Sequence, residues 1–203
     1  MAAFSVQIGD LLGTFDDTQM MTDALIASGT EIIKLTPNEK LLKIAKESDI
    51  TSSGLAVSGE KVLEVYKSNL VAREIPLAQL AKTKDSGSIY YATANDPAFY
   101  FKNEKVYIVA DGSETSGTLL HVPSVPQKSD GTIILHSHAE SDIANFPIEA
   151  DKLMVLGAAI RCLKGIIGTQ IVTDEDTELG QGSLAQLQLL EASYDKELQK
   201  YLA

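Results

Sequence analysis

The sequence predicts an α+β fold: a helical bundle, made of N-terminal helices packed with a C-terminal helical hairpin, carrying an inserted antiparallel β-sheet. Three observations predict it. Phe146 to Leu202 holds two apolar patterns of helical period, and the first third of the chain holds two more. Between them, from Thr51, the texture changes to short alternating or aromatic runs separated by turn residues. The expected organisation is therefore residues 1–50 as the N-terminal helical part of the bundle, 51–140 as the inserted β-rich region, and 141–203 as the helical hairpin that completes the bundle.

At the N-terminus, Asp16, Asp17 and Thr18 offer an N-cap. Met20, Met21, Ala24, Leu25, Ile32, Ile33 and Leu35 follow at helical spacing, with Ser28-Gly29 as a weak point. Thr36-Pro37-Asn38-Glu39 combines an N-cap threonine, a first-turn proline and a capping-box glutamate. It predicts a second helix, burying Leu41, Leu42, Ile44 and Ala45 and ending near Ser48.

The β-rich stretch starts with a short apolar piece between Gly54 and Gly59. Lys61 to Ser68 and Val71 to Ile75 read as extended, Pro76 stops the second, and Leu77 to Lys82 reads as a helical turn. Ser88 to Thr93 reads as a strand. Phe99-Tyr100-Phe101 and Val106-Tyr107-Ile108-Val109 flank Lys102-Asn103-Glu104, a hairpin pattern. Asp111-Gly112 to Ser116-Gly117 is the next turn and Thr118 to Val122 the next strand. Thr132 to His138 is either a last strand or an excursion towards the following helix.

That helix opens at Pro147, with Glu149 and Asp151 near the positive end of its dipole. Leu153, Leu156, Ile160, Leu163 and Ile167 form one face, which Met154, Val155, Ala158 and Ala159 widen. A helix apolar on most sides belongs at the centre of a core. An acidic loop, Thr169 to Gly182, leads to a last helix starting at Ser183, with Gln186 three residues on. Leu187, Leu190, Tyr194, Leu198 and Tyr201 make its narrower stripe.

Composition narrows the function. The 203 residues carry a formal net charge of −11, which argues against a basic nucleic-acid-binding surface. No run approaches the roughly 20 apolar residues of a membrane helix, and Met1 to Phe15 lacks the pattern of a secretory signal. Cys162, the single cysteine, falls within the apolar helix and reads as a buried, inert thiol.

No phosphate-binding glycine loop, dinucleotide fingerprint or nucleophile elbow occurs, so no catalytic or cofactor-binding residue is assigned and no cofactor is expected. His136-Ser137-His138, with Glu140 and Asp142, is the best constellation for a metal, since residues two apart on a strand share a face; a polar strand end is the plainer reading. Asp174-Glu175-Asp176-Thr177-Glu178 departs from a calcium loop, with glycine at position seven and Ala185 at position twelve. A solvated acidic loop is expected there. Tyr90, Tyr91, Phe99, Tyr100, Phe101 and Tyr107 can stack on a ligand, though cross-strand pairing is the more economical account. Arg161 either snorkels from the core or pairs with a carboxylate.

Several phrases carry a resemblance. They are Asp23-Ala24-Leu25 through Glu31-Ile32-Ile33, Val57 to Leu63, Arg73-Glu74-Ile75-Pro76, Tyr90 to Thr93 with Asp96 to Tyr100, and Lys105 to Ile108. Phe146-Pro147 before the long apolar helix and Leu189 to Asp195 in the final one complete the set. In these phrases and in element order the chain resembles the head–tail connector proteins, also called neck, ring or adaptor proteins, of tailed double-stranded DNA phages. The resemblance implies a non-enzymatic virion protein, located in the neck between head and tail and assembled in the host cytoplasm. It implies a homo-oligomeric ring, typically a dodecamer, whose partners are the portal protein and a tail or second neck protein. It also implies a channel for genomic DNA without sequence-specific binding, a role that an acidic, phosphate-repelling surface suits. No membrane partner is expected. Several relatives in that family place a segment beyond the last helix in the portal; here the helical stripe runs to Tyr201-Leu202, so either the helix end itself, Leu198, Tyr201 and Leu202, is the portal-docking site, with Tyr201 and Leu202 expected to be exposed, or the portal contact lies elsewhere. Two other readings are a tail-associated module that binds carbohydrate through the aromatic sheet, and a small metal-dependent hydrolase built on His136, His138, Glu140 and Asp142.

Overall fold

The computed structural model describes residues 2–13, 15–173 and 177–203, with side chains for all of these except 170–181. The fold is α+β. Helix α1 is Phe4–Leu12 and α2 is Thr18–Leu35, the latter capped by the Asp17 carboxylate, which accepts from the Met20 N–H at 2.9 Å. A single turn, α3 (Asn38–Leu41), runs into a 3-10 turn, Leu42–Ile44. Strands β1 (Lys46–Ile50), β2 (Leu55–Ala56), β3 (Glu60–Lys67), β4 (Leu70–Val71) and β5 (Arg73–Glu74) follow. Then come α4 (Leu80–Lys84), β6 (Ala98–Lys102), β7 (Lys105–Ala110), β8 (Ser113–Thr115) and β9 (Gly117–Pro123). Short strands β10 (Gln127–Lys128) and β11 (Ile143–Ala144) pair with each other before the long helices α5 (Asp151–Thr173) and α6 (Thr177–Leu202).

The chain divides into two compact units, one made of Met1–Pro37 with Val125–Ala203, the other of Asn38–Ser124. In the second unit the expected single antiparallel sheet is two sheets: β1-β9-β3-β4 is antiparallel, while β2-β7-β6-β5, to which β8 adds by pairing with β7, is mixed, since β5 runs parallel to β6. Alternation along β7 assigns its two faces. Val106 and Ile108 join Ile50, Val65, Phe99 and Leu119 in a core shared by both sheets. Val109, with Ala98 and Tyr100 of β6, faces the other way, into a second cluster with Ile75, Ala92 and the half-buried Leu80 of α4. The aromatic-rich sheet is thus buried on both faces.

In the other unit α5 packs against α1, α2 and α6. Leu153, Met154, Leu156, Ala158, Ala159, Cys162 and Leu163 are all buried, which accounts for a helix with few charges. The α2–α5 approach is set by small residues. A Cβ built on Gly157 would lie 2.2 Å from Ser28 Oγ, so α5 has no room for a side chain there. Ser28-Gly29 is therefore not a weak point: α2 is continuous through it, and both residues are buried. Ion pairs Arg161–Glu31 and Lys164–Glu191, at 2.7 and 2.8 Å, flank the packed faces on α2 and α6.

Several local expectations are corrected. Thr36 is not the cap of a long helix but the residue after α2. Proline disfavours helical geometry in the residue before it, and Thr36 is extended, with ψ 128°. The expected helix to Ser48 stops at Ile44, and Lys46–Ile50 pairs with β9. Ser88 to Thr93 is no strand: the N–H groups of Ser88 and Tyr91 bond back to the carbonyls of Asp85 and Ser88. Of the two readings of Thr132 to His138, the strand is overturned: the stretch is a loop with one isolated bridge, Gln127–Ile133, and its carbonyls at His136 and His138 accept from Ser5 and Phe4 at the start of α1. Pro147 precedes a 3-10 turn, Ile148–Ala150, rather than opening the helix. Ser183 lies inside α6, and Gln186 reaches out to the Leu11 carbonyl instead of closing a capping box. Most of the expected acidic loop is helical, as the ends of α5 and α6; Asp174 to Asp176 fall outside the described residues.

Candidate functional site

Tyr201 is not exposed: it is buried, with its hydroxyl 2.9 Å from Thr36 Oγ1 at the end of α2. Leu202 is 39% exposed and Leu198 half-buried. The end of α6 is thus held by Tyr201, and by Glu197, which accepts from Lys152 at 2.6 Å. That contact keeps the Glu197 carboxyl below the usual carboxylate range. The outward apolar surface at this end is reduced to the leucines.

The histidine constellation does not converge. His136 and His138 lie on a loop, so the shared strand face on which they were to meet is not there. His136 Nδ1 sits 3.0 Å from Thr22 Oγ1, and His138 Nδ1 accepts from the Leu135 N–H at 3.0 Å. Asp142 accepts from the Ala139 N–H. Among the described residues no three His, Cys, Asp or Glu side chains are grouped to hold a metal ion.

Phe99, Tyr100, Phe101 and Tyr107 are used inside the sheet, whereas Tyr90 and Tyr91 lie outside any strand, with Tyr90 exposed. Tyr100 and Tyr107 are directly cross-strand and stack with ring centroids 5.2 Å apart; Phe99 and Phe101 meet edge-on at 5.8 Å. The Tyr100 hydroxyl donates to Glu114 Oε1, which also accepts from Lys84 Nζ. Lys84 holds the Glu114 carboxyl below its ordinary range, while burial and the Glu114 contact push the Tyr100 phenol upward. Arg161 pairs with Glu31, the carboxylate reading of that residue. Cys162 is buried, and burial, with the Asp17 charge, pushes its thiol up to about 11. It is an inert thiol at neutral pH.

Two features have no counterpart in the sequence reading. Isolated large apolar side chains stand in solvent, led by Ile89 at 93% and Ile148 at 84% exposed, each on a turn. And His121, buried on β9, holds Ser48 of β1 with one ring nitrogen and Glu60 of β3 with the other, at 2.9 and 3.0 Å. Ser48, Glu60 and His121 are far apart in the chain and match no short motif, so only the strand pairing reveals them. No helix among the described residues is long and apolar enough to cross a membrane. No protein-family model matches this chain, and no curated protein matches its sequence.

Proposed function

We propose that this chain is a structural virion protein that forms a ring between the capsid portal and the tail and lines the DNA exit channel. In this reading α1, α2, α5 and α6 make one helical bundle, and the β-rich unit is its insertion. The observation that carries the proposal is the chain order. A contiguous β-rich unit, Asn38–Ser124, interrupts a unit whose two segments both contribute long helices, which is the architecture implied by the connector resemblance. Two further features support it. A net charge of −11 per subunit, repeated around a ring, gives a channel that repels phosphate. Exposed apolar side chains on turns, Ile89 and Ile148, are suited to contacts between subunits or with a neighbouring ring. The portal and a tail or second neck protein are the partners, and the subunits assemble as a homo-oligomer, a dodecamer in the simplest match to the family.

The portal contact is assigned to the end of α6, through Leu202 and Leu198, with Tyr201 holding the helix in place. Removing Glu197 to Ala203 outright also removes the Tyr201–Thr36 and Lys152–Glu197 contacts, so a point substitution is the cleaner probe. The experiment is electron microscopy of the protein mixed with its portal. A ring stacked coaxially on the portal, lost in Leu202→Asp without loss of the folded subunit, is the expected result. A stacked ring that survives Leu202→Asp removes the helix end as the contact. A protein located at the distal tail, or absent from particles, removes the connector reading.

A further inference from the structure

The Ser48, His121 and Glu60 side chains lie on three adjacent strands of one sheet, β1, β9 and β3. Their order is that of a nucleophile, a base and an orienting acid: Ser48 Oγ is 2.9 Å from His121 Nε2, and His121 Nδ1 is 3.0 Å from Glu60 Oε2. The direction of the protons follows from the chemistry. An ionised carboxylate only accepts, so Nδ1 donates to Glu60. In the neutral ring Nε2 then accepts, and the donor facing it is the Ser48 hydroxyl. Both ring nitrogens are therefore committed in the sense a relay requires.

The site is placed at an edge rather than sealed in the core. β1 is an edge strand of its sheet, and an edge strand presents backbone N–H groups with no sheet partner. Ser48 is half-buried, and the side chains of His121 and Glu60 keep 11% and 25% of their surface. Lys46 stands opposite His121 in the β1–β9 register, on the same face of β1 as Ser48.

We propose that Ser48, His121 and Glu60 form a nucleophilic relay that acts on small carboxylic esters. Ser48 Oγ bonds to the ester carbonyl carbon while its proton passes to His121 Nε2. The bond from that carbon to the alkoxy oxygen breaks, and the leaving alcohol takes the proton from Nε2. Water then adds to the acyl-serine with His121 as base, and the acid leaves as Ser48 regains its proton. Ser48 and His121 are the catalytic residues; Glu60 is a positioning residue, acting through the imidazole. The half-buried position of Ser48 suits a small acyl group better than a folded protein substrate.

The same three contacts can serve only to clamp the strands, and the two roles separate by experiment. The full-length protein is incubated with a fluorophosphonate probe and, in parallel, with p-nitrophenyl acetate. The expected result is one label on Ser48, absent in Ser48→Ala, and an ester turnover that falls at least about 100-fold in His121→Ala. Glu60→Gln is the decisive variant. An amide can donate to Nδ1 and so favours the tautomer with a proton on Nε2, which cannot accept from serine. Labelling should fall at least about tenfold in Glu60→Gln while the thermal unfolding midpoint stays near that of the wild type. Absence of label on Ser48, or labelling unchanged in Glu60→Gln, overturns the proposal. Ring formation on the portal is read by microscopy and does not depend on either outcome.

Discussion

At the scale of single residues, the clearest conflict between local and tertiary preference is Asp151. An aspartate in the first turn of α5 is favoured when ionised by the helix dipole. Burial opposes ionisation, and the Glu140 charge adds to it, pushing the carboxyl up to about 7. In the unfolded chain it titrates at about 3.9. Between those values the folded chain holds a proton that the unfolded chain has released. Its contribution to stability is therefore full below about pH 4 and is lost as the pH rises through about 7. Urea unfolding at a series of pH values should show Asp151→Asn gaining on the wild type across that window, with the gap constant below it. Glu114 and Glu197 are held low and give the opposite slope, but they are common to both proteins and cancel in the difference. Parallel curves for the two proteins would refute this account of Asp151. The first-turn position of Asp151 was legible in the sequence; its burial and the nearness of Glu140, which lies outside the helix, were not, because both depend on tertiary packing.

Elements were legible where local chemistry and tertiary pairing agree. The Asn103-Glu104 and Asp111-Gly112 turns sit between paired strands, and all four residues have positive φ, as two-residue hairpins of the mirror-image type require. Asn suits its position, and the hairpin at Lys102-Asn103-Glu104 was read in advance; Asp111-Gly112 was read only as the start of one turn running to Gly117, so β8 inside that stretch was missed. Glu104, at φ 57°, suits its position poorly. Glu104→Gly should raise stability by about 0.5–1 kcal/mol in denaturant unfolding, net of the entropy glycine costs. Gly112→Ala should lower it by about 1–2 kcal/mol, since its φ is +80° and a Cβ would come within 3.2 Å of the Lys84 carbonyl. A neutral Gly112→Ala would mean the turn relaxes. β1 was illegible for the converse reason. Its inward positions are Lys46, Ser48 and Ile50 and its outward ones Glu47 and Asp49, so only one residue advertises a buried face. Pairing with β9, more than 70 places along the chain at Lys46–His121, makes it a strand. The relay of Ser48, Glu60 and His121 was hidden by the same fact.

At the scale of the whole molecule, the β-rich unit bears on how such a chain is put together. Its first strand, β1, and its last, β9, are antiparallel neighbours, with Lys46 opposite His121. The unit therefore enters and leaves at one place, as a segment inserted into another fold does. Its own core is assembled from its own strands, Ile50, Val65 and Leu119 from one sheet and Phe99, Val106 and Ile108 from the other. A second cluster behind the aromatic sheet is also internal to the segment. A segment with both termini on neighbouring strands and two apolar clusters of its own meets the conditions for folding alone. Residues 38–124, expressed without the rest, should give a β-rich circular dichroism spectrum and one cooperative thermal transition. Val65→Ala within that fragment should lower its midpoint, by about 1–3 kcal/mol in stability terms, because Val65 is fully buried between the sheets. If the fragment is instead unfolded at all temperatures, its clusters are insufficient by themselves, and the β-rich segment owes its order to the helices that flank it in sequence. That outcome would recast it from an insertion with its own stability into an arm that forms only within the complete chain.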